Sequence, residues 1–506
     1  MIRSFLLSLT CIMTVLLACS GCSSGRRVQP LEFPYGALDK AVEETNEDPI
    51  FDNSTNIPLE WWTLFDDCQL TEFIRIAFDR NPTLQQAQAN IALAESDAAK
   101  LRSILFPHLL WGADVSRQKF SETGIIPFHL IPPGMGGVAP VPFPATGGIN
   151  AIPVYFTQYE TQLNFTYDFD IWGKNRQMWQ AAIGEIQSKR ADEVFARLQL
   201  GIAVAQVYFR LQFEYQRQEI AQMQVNSRTS YLDLVQKRLQ GNLDNILQVQ
   251  SAEISVAQAK QFLLVVQNNI AVHEHQLKTY LAGSFNEEFD HIQIMQKPMP
   301  KVSLPENLPL HLLAYRPDIM AQLWLIQSAG HQIESAKAGF YPDISLAAVF
   351  GYQTLHLDKL FLWKSSNFNV DPAISLPIFD GGRLAANLRG SEVNYDLAIL
   401  EYNKLILNAT REVLDGISIL RNSELQYQEF RKMTEFQNKI AKFTELRTTG
   451  HLNSDLDTLS TTSSVLTARE QEVTALGNTI QAMLSLIKAL GGGYDACNEQ
   501  VLKDQP

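Results

Sequence analysis

Residues 164–173 read NFTYDFDIWG, and within them the chain changes period. Phe165, Tyr167, Phe169 and Ile171 alternate with Asn164, Thr166, Asp168 and Asp170, the pattern of a strand with one apolar face. At Gly173 the alternation stops, and a polar, Ala- and Gln-rich stretch begins that reads as helix. The event recurs over residues 369–388, NVDPAISLPIFDGGRLAANL, where Ile374, Leu376 and Ile378 alternate before Gly381 and Gly382 and a second long helical stretch. Strand, glycine and long helix form the unit on which the chain is built.

Outward from these two points the chain is internally duplicated. Asn81-Pro82 and Arg316-Pro317 match, and the next proline follows 25 residues later in both, at Pro107 and Pro342. Gly173 pairs with Gly381; Gly241 lies 68 residues beyond the first and Gly450 69 beyond the second. The copies differ between proline and glycine, where the first carries a surplus rich in Pro and Gly, GIIPFHLIPPGMGGVAPVPFPATGGINAIP. No helix or interior strand tolerates that density, so it reads as a long loop at the tip of the first hairpin.

No proline lies between Pro153 and Pro298, or between Pro377 and Pro506, and good helix formers fill both spans. Residues 173–240 would make roughly 100 Å of helix. Gly241 and Gly450 mark turns between antiparallel partners. Helices this long need each other and further copies of themselves to pack against. The apolar run EVFARLQLGIAVAQVYFRLQFEY contains Glu193, Arg197, Gln199, Gln206 and Arg210, which makes it a buried helix face instead of a membrane span.

Each copy offers two strands, 109–119 with 155–171 and 344–353 with 368–378, and Trp111, Trp172 and Trp363 stand near strand ends like an interfacial girdle. A bilayer admits β-structure only as a closed barrel, and four strands do not close alone. Either several chains share one barrel, or the strands form a soluble four-stranded sheet beside helices.

The chain opens with Met1-Ile2-Arg3 and an apolar run to Ala18, the length of an export signal's core. Leu16-Leu17-Ala18-Cys19 resembles a bacterial lipoprotein signal, with Cys19 preferred to Cys22 as the lipidated residue; an ordinary signal with incidental cysteines is the alternative. Cys68 and Cys497 are too few and too far apart to make a disulfide scaffold, and one bridge between them is not required. The net charge of −13 and the lack of a long basic run give no footing for nucleic acid. His273 and His275 point different ways on a helix and make a poor metal site. No glycine-rich phosphate loop is present, so no enzyme activity and no cofactor are expected.

With LLAYRPDIMAQLWLIQSAGHQIESAKAGFYPDISL, ISLPIFDGGRLAANL, WWTLFDDCQLTEFIRIAFDRNPTL, FDIWGKNRQ and AVAQVYF in order, the chain resembles the outer-membrane channels of Gram-negative efflux and type I secretion systems. The likeness is to the lipoprotein branch that serves RND-type pumps, and it runs from about Trp61 to Leu490. It implies a homotrimer in which each chain gives four strands to a twelve-stranded transmembrane β-barrel, continued by a long periplasmic α-helical barrel. It also implies a lipid anchor in the outer membrane, a periplasmic adaptor (membrane fusion) protein and an inner-membrane RND-type pump as partners. Segments before Trp61 and after Leu490 would form a belt.

On that resemblance the chain divides into a signal at 1–18, an anchored linker at 19–60, repeats at 61–298 and 299–490 with hairpins at 108–171 and 343–379, and a tail at 491–506. The gate would lie at the helical tips. Asp457 falls on the family's first acidic position, Ser460 stands where a second acid is usual, and Asp455 and Asp244 are further candidates. Three carboxylates meeting on an axis repel one another and attract cations. Arg316-Pro317-Asp318 reads as structural, with Pro317 in a first helical turn, Asp318 near its N-terminus and Arg316 seeking a carboxylate. Gly381 and Gly382 are expected to let strand turn into helix where a side chain would clash. Protein secretion, or a structural periplasmic lipoprotein with coiled-coil arms, remain the other readings.

Overall fold

The structure, a computed structural model, describes residues 28–31, 40, 51–52, 57–119, 155–283, 302–303 and 316–493. Cys19, Cys22, Cys497 and the Pro- and Gly-rich surplus of the first hairpin lie outside the described residues. In chain order the elements are β1 (Phe51–Asp52), α1 (Cys68–Arg80), α2 (Pro82–Ser103), β2 (His108–Lys119), β3 (Tyr155–Phe169), α3 (Lys174–Gln240), α4 (Ile246–Tyr280), β4 (Val302–Ser303), α5 (Pro317–Ala338), β5 (Asp343–Thr354), β6 (Ser366–Ser375), α6 (Arg383–Thr449) and α7 (Asp455–Ala489).

The duplication holds to the residue. α2 and α5 have 22 residues each, α3 and α6 have 67, and α4 and α7 have 35. Every boundary of α3 and α4 recurs 209 residues later in α6 and α7. This corrects one register: Gly173 precedes Lys174 as Gly382, not Gly381, precedes Arg383. Gly241 and Gly450 then stand at equal distances from their partners.

Two compact units are present, each considered by itself. The first draws on Met1–Glu95, Ile183–Ala329 and Val393–Pro506. Its core joins Trp61, Leu70 and Ile74 to residues 198–213 of α3, 266–277 of α4 with Leu281 beyond it, 402–420 of α6, and 480–489 of α7 with Leu490 beyond it. α3 is the one described helix long and apolar enough to cross a membrane by length and composition, and over half of its apolar window is buried. Tyr208, Phe209 and Leu211 from that window are wholly enclosed. The run is core, as its interspersed Glu and Arg residues imply.

Asp67 starts α1 by accepting from the backbone N–H groups of Gln69 and Leu70 at 2.9 and 3.0 Å, and the Tyr208 hydroxyl donates to its other oxygen at 2.8 Å. Burial, with the Asp67 charge beside it, pushes the Tyr208 phenol well above its ordinary range. Residues 28–31 reach this same unit: Asn403 of α6 accepts from the Leu31 N–H at 2.8 Å and donates to the Gln29 carbonyl at 3.3 Å. β1 pairs in parallel with β4.

The second unit, Ser96–Ala182 with Gly330–Glu392, holds an antiparallel sheet of order β2-β3-β5-β6. Its register sorts side chains by chemistry. Across one face run Trp111, Leu163, Phe350 and Phe368, and beside them Leu109, Phe165, Ala348 and Val370. The other face carries Asp114 opposite Glu160, Gln162, Asn164 and Asn369. The apolar face is open: Trp111 is 67% exposed and Phe368 82%. Among the described residues β2 and β6 are the edges, with no strand on their outer sides.

Two strands stop earlier than their alternation suggests. β3 ends at Phe169 because the Asp170 carboxylate accepts from the N–H groups of Asn175 and Arg176 at 3.0 and 2.8 Å, turning the chain into α3. β6 ends at Ser375, before Leu376 and Pro377, so Ile378 lies beyond the strand.

Candidate functional site

The tips of the two helical hairpins are one turn built twice. At the first, the Leu243 N–H reaches the Arg238 carbonyl at 2.8 Å and the Asn242 N–H reaches Leu239 at 3.0 Å. At the second, Leu452 reaches Arg447 at 2.8 Å and His451 reaches Thr448 at 3.0 Å. This pair of bonds ends a helix through a left-handed residue, and here that residue is Asn242 (φ 56°) or His451 (φ 59°). Gly241 and Gly450 sit one position earlier and are not left-handed, so they mark the turns without supplying the conformation.

Each turn is clamped by an arginine from the preceding helix. Arg238 Nε donates to Asp244 Oδ2 at 2.6 Å, and Arg447 Nε donates to Asn453 Oδ1 at 3.1 Å. Asp244 thereby becomes the partner of Arg238, and the bonded carboxylate raises the Arg238 pKa. Asn245 caps α4 by accepting from the Gln248 N–H at 3.1 Å.

Asp457 belongs to a capping box at the start of α7. Its carboxylate accepts from the Ser454 N–H at 3.0 Å and the Ser454 hydroxyl at 3.2 Å. Asp455 is the first residue of α7, and both acids sit where a helix N-terminus favours negative charge. Ser460 is exposed, and its carbonyl accepts from Ser464 at 3.1 Å. The four gate candidates therefore occupy the two tips, Asp244 on one and Asp455, Asp457 and Ser460 on the other.

Arg316 finds its carboxylates at the start of α5. It donates to Asp318 from Nε at 3.1 Å and from Nη2 at 2.8 Å, to Glu412 of α6 from Nη1 at 2.9 Å, and to the Ala489 carbonyl at 3.1 Å. Burial works against its charge, but these carboxylates win and its pKa is raised. Pro317 is the first residue of α5, and Asp318 also accepts from the Ile319 N–H at 2.9 Å. One arginine thus ties α5, α6 and the end of α7 together.

Gly381 and Gly382 are needed for their backbone, not for space. Their φ values are +65° and +89°, and a Cβ at either would meet nothing within 4 Å. The expected clash is absent; the left-handed conformation itself selects glycine. Asp380 accepts from the Leu384 N–H at 2.8 Å and the Gly382 N–H at 3.0 Å, and these bonds hold its carboxyl below the usual range.

Sequence reasoning missed Arg238, Arg447, Asn242, His451 and Glu412. The first four were legible as identical or turn-forming residues 209 apart, once the register was set on Gly382. Among the described residues no group of three or more His, Cys, Asp or Glu could hold a metal ion, and His273 Nδ1 lies 3.2 Å from Gln276 Oε1.

The sequence profile described as "Outer membrane efflux protein" matches residues 73–283 and 308–492. Multidrug resistance outer membrane protein MdtQ of Escherichia coli O6:H1 is 27% identical over 496 residues, covering 97% of this chain and 99% of the relative. The crystal structure of outer membrane protein VceC of Vibrio cholerae superposes with a TM-score of 0.70 at 28% identity, over 86% of this chain and 99% of that one. The Campylobacter jejuni CmeC outer membrane channel shares the fold, with a TM-score of 0.80 at 19% identity over 95% of this chain and 97% of that one.

Proposed function

This chain belongs to the outer membrane efflux protein family, and from that we propose its working form and its gate. It is a passive conduit of a tripartite efflux system at the outer membrane, and it has no enzymatic activity of its own. Such a system implies a periplasmic adaptor and an inner-membrane RND-type pump, which supplies the energy.

Three copies share one barrel, each giving β2, β3, β5 and β6. The observation that carries this is the sheet itself: four strands, two open edges and one exposed apolar face. An open sheet in hydrocarbon would leave both edges unpaired, whereas β2 of one copy against β6 of the next closes twelve strands. α3, α4, α6 and α7 of each copy form the periplasmic tube, with Cys19 as the lipid-anchored residue. The cargo is small molecules, in keeping with the multidrug resistance named for the relative.

The gate is the ring of second tips, where Asp457, with Asp455, gathers negative charge and Ser460 supplies hydroxyls. Asp244, held by Arg238, lines the first tips. Native mass and single-channel conductance of the detergent-extracted protein test the reading together. A trimer whose small conductance rises in Asp457→Ala supports it. A non-conducting monomer returns the four strands to a soluble sheet.

A further inference from the structure

Within one chain, α3 packs antiparallel on α7, and two contacts fix their register. A Cβ at Gly477 of α7 would press on the Phe213 ring of α3, and Arg217 of α3 donates to Glu470 of α7 from Nη2 at 3.0 Å. Steps of alternate threes and fours follow the same face toward the tips. On α3 they give Gln224, Ser227, Tyr231 and Leu234, all half-buried. On α7 they give Leu466, Ser463 and Leu456, the first two buried and the last half-buried.

Each position of this face has a counterpart 209 residues away, on α6 for α3 and on α4 for α7. The counterparts of the four α3 residues are Met433, Phe436, Ile440 and Phe443, and all are exposed. Those of the three α7 residues are Ala257, Ile254 and Leu247, exposed as well. The faces turned toward the other arm of the same hairpin do not differ in this way: Ala259 and Val266 of α4 are buried, and so are Ala468 and Ala475 of α7. Exposure therefore changes on the one face that α3 and α7 turn to each other. On α6 that face is also the more apolar of the two copies, with Phe436 where α3 has Ser227, and Phe443 is 65% exposed. A stripe of four large apolar side chains facing water is unfavourable unless something covers it.

We propose that this face of α6 takes α4 of a second copy of the chain, in the register by which α3 takes α7 within one chain. The inference rests on the three-copy reading above, and it names the surfaces through which the helices of neighbouring copies meet. Carried across the duplication, the Phe213–Gly477 contact sets Asn422 against the partner's Asn268, and the Arg217–Glu470 contact sets Gln426 against the partner's Gln261. Nearer the tips, Met433 and Phe436 meet the partner's Ile254, and Ile440 and Phe443 meet the partner's Leu247. Amides face amides and apolar groups face apolar groups along the whole strip, although the register was set on the other pair of helices. A slip of one heptad away from the tips would put Phe436 against Gln261 and carry Leu247 past the end of α6. The contact is head-to-tail, each copy giving α6 to one neighbour and α4 to the other, as a closed ring requires.

The experiment is oxidative cross-linking of the full-length detergent-extracted protein. Phe436→Cys with Ile254→Cys is compared with the off-register pair Phe436→Cys with Leu264→Cys, and each single variant sets the background from Cys68. On non-reducing denaturing gels the in-register pair is expected to link copies into dimers and trimers, with about tenfold more linked chain than the off-register pair. Ile440→Cys with Leu247→Cys repeats the test should the first pair fail to assemble. A native mass of three copies, with in-register pairs that link no better than the off-register one, would overturn the seam and leave the α6 face to a different protein. A link formed inside one chain, seen as a shifted monomer band, would overturn it too. A monomeric wild type would instead remove the three-copy reading.

Discussion

Arg316 and Glu412, 96 residues apart, meet at 2.9 Å, yet the two ends of that contact live in different surroundings: the arginine side chain is 6% exposed and the glutamate 43%. The asymmetry decides what each contributes. Arg316→Met strands the Asp318 carboxylate, 13% exposed, and is expected to cost about 3 kcal/mol. Glu412→Gln leaves the two-bond grip on Asp318 and should cost under about 1 kcal/mol. Unfolding midpoints in detergent separate the two, and equal losses would contradict the burial argument.

The turn glycines and their left-handed neighbours should respond in opposite senses. His451→Gly places a permissive residue at φ 59° and is expected to stabilise the second tip by about 0.5–1 kcal/mol. Gly450→Ala should be tolerated, since its φ is not left-handed and its nearest neighbour would be the Leu446 carbonyl at 3.4 Å. Gly382→Ala should destabilise by about 1 kcal/mol although space is open there. Thermal melts of the three variants give the order directly.

In the sheet, two glycines of the same type predict different outcomes. A Cβ at Gly351 would run into the Thr161 carbonyl oxygen on the neighbouring strand, while one at Gly112 would meet nothing within 4 Å. Gly351→Val is expected to abolish assembly of the proposed trimer and Gly112→Ala to leave it intact, as read by native mass of the detergent-extracted protein.

Asp380 predicts a pH dependence. Its folded pKa lies below its unfolded one, because the Leu384 N–H and then the Gly382 N–H bond the ionised form. Its contribution is therefore present above the unfolded pKa, about 4, and is lost as pH falls through the lower folded value. Asp380→Asn should flatten acid unfolding in that window. A curve parallel to wild type below pH 4 would show that these bonds do not bias the carboxyl.

The fold was legible because period and proline placement report on backbone alone. The switch at Gly173 placed β3 and α3 within two residues, and the proline-free spans gave both 67-residue helices. Less legible was anything set by partners distant in sequence. Nothing near Arg316 announces Glu412. The turns stand where Gly241 and Gly450 mark them, but the left-handed residue in each is asparagine or histidine, which composition alone does not single out over glycine.

The equal counts in α3 and α6 make length a paired quantity. Adding one heptad to α3 would carry its tip about 10.5 Å onward while the other tip stayed where it was. The chain can be lengthened or shortened only by editing both arms by the same number of residues, and their 67-residue parity works as a ruler that a designer of longer or shorter conduits would have to read twice.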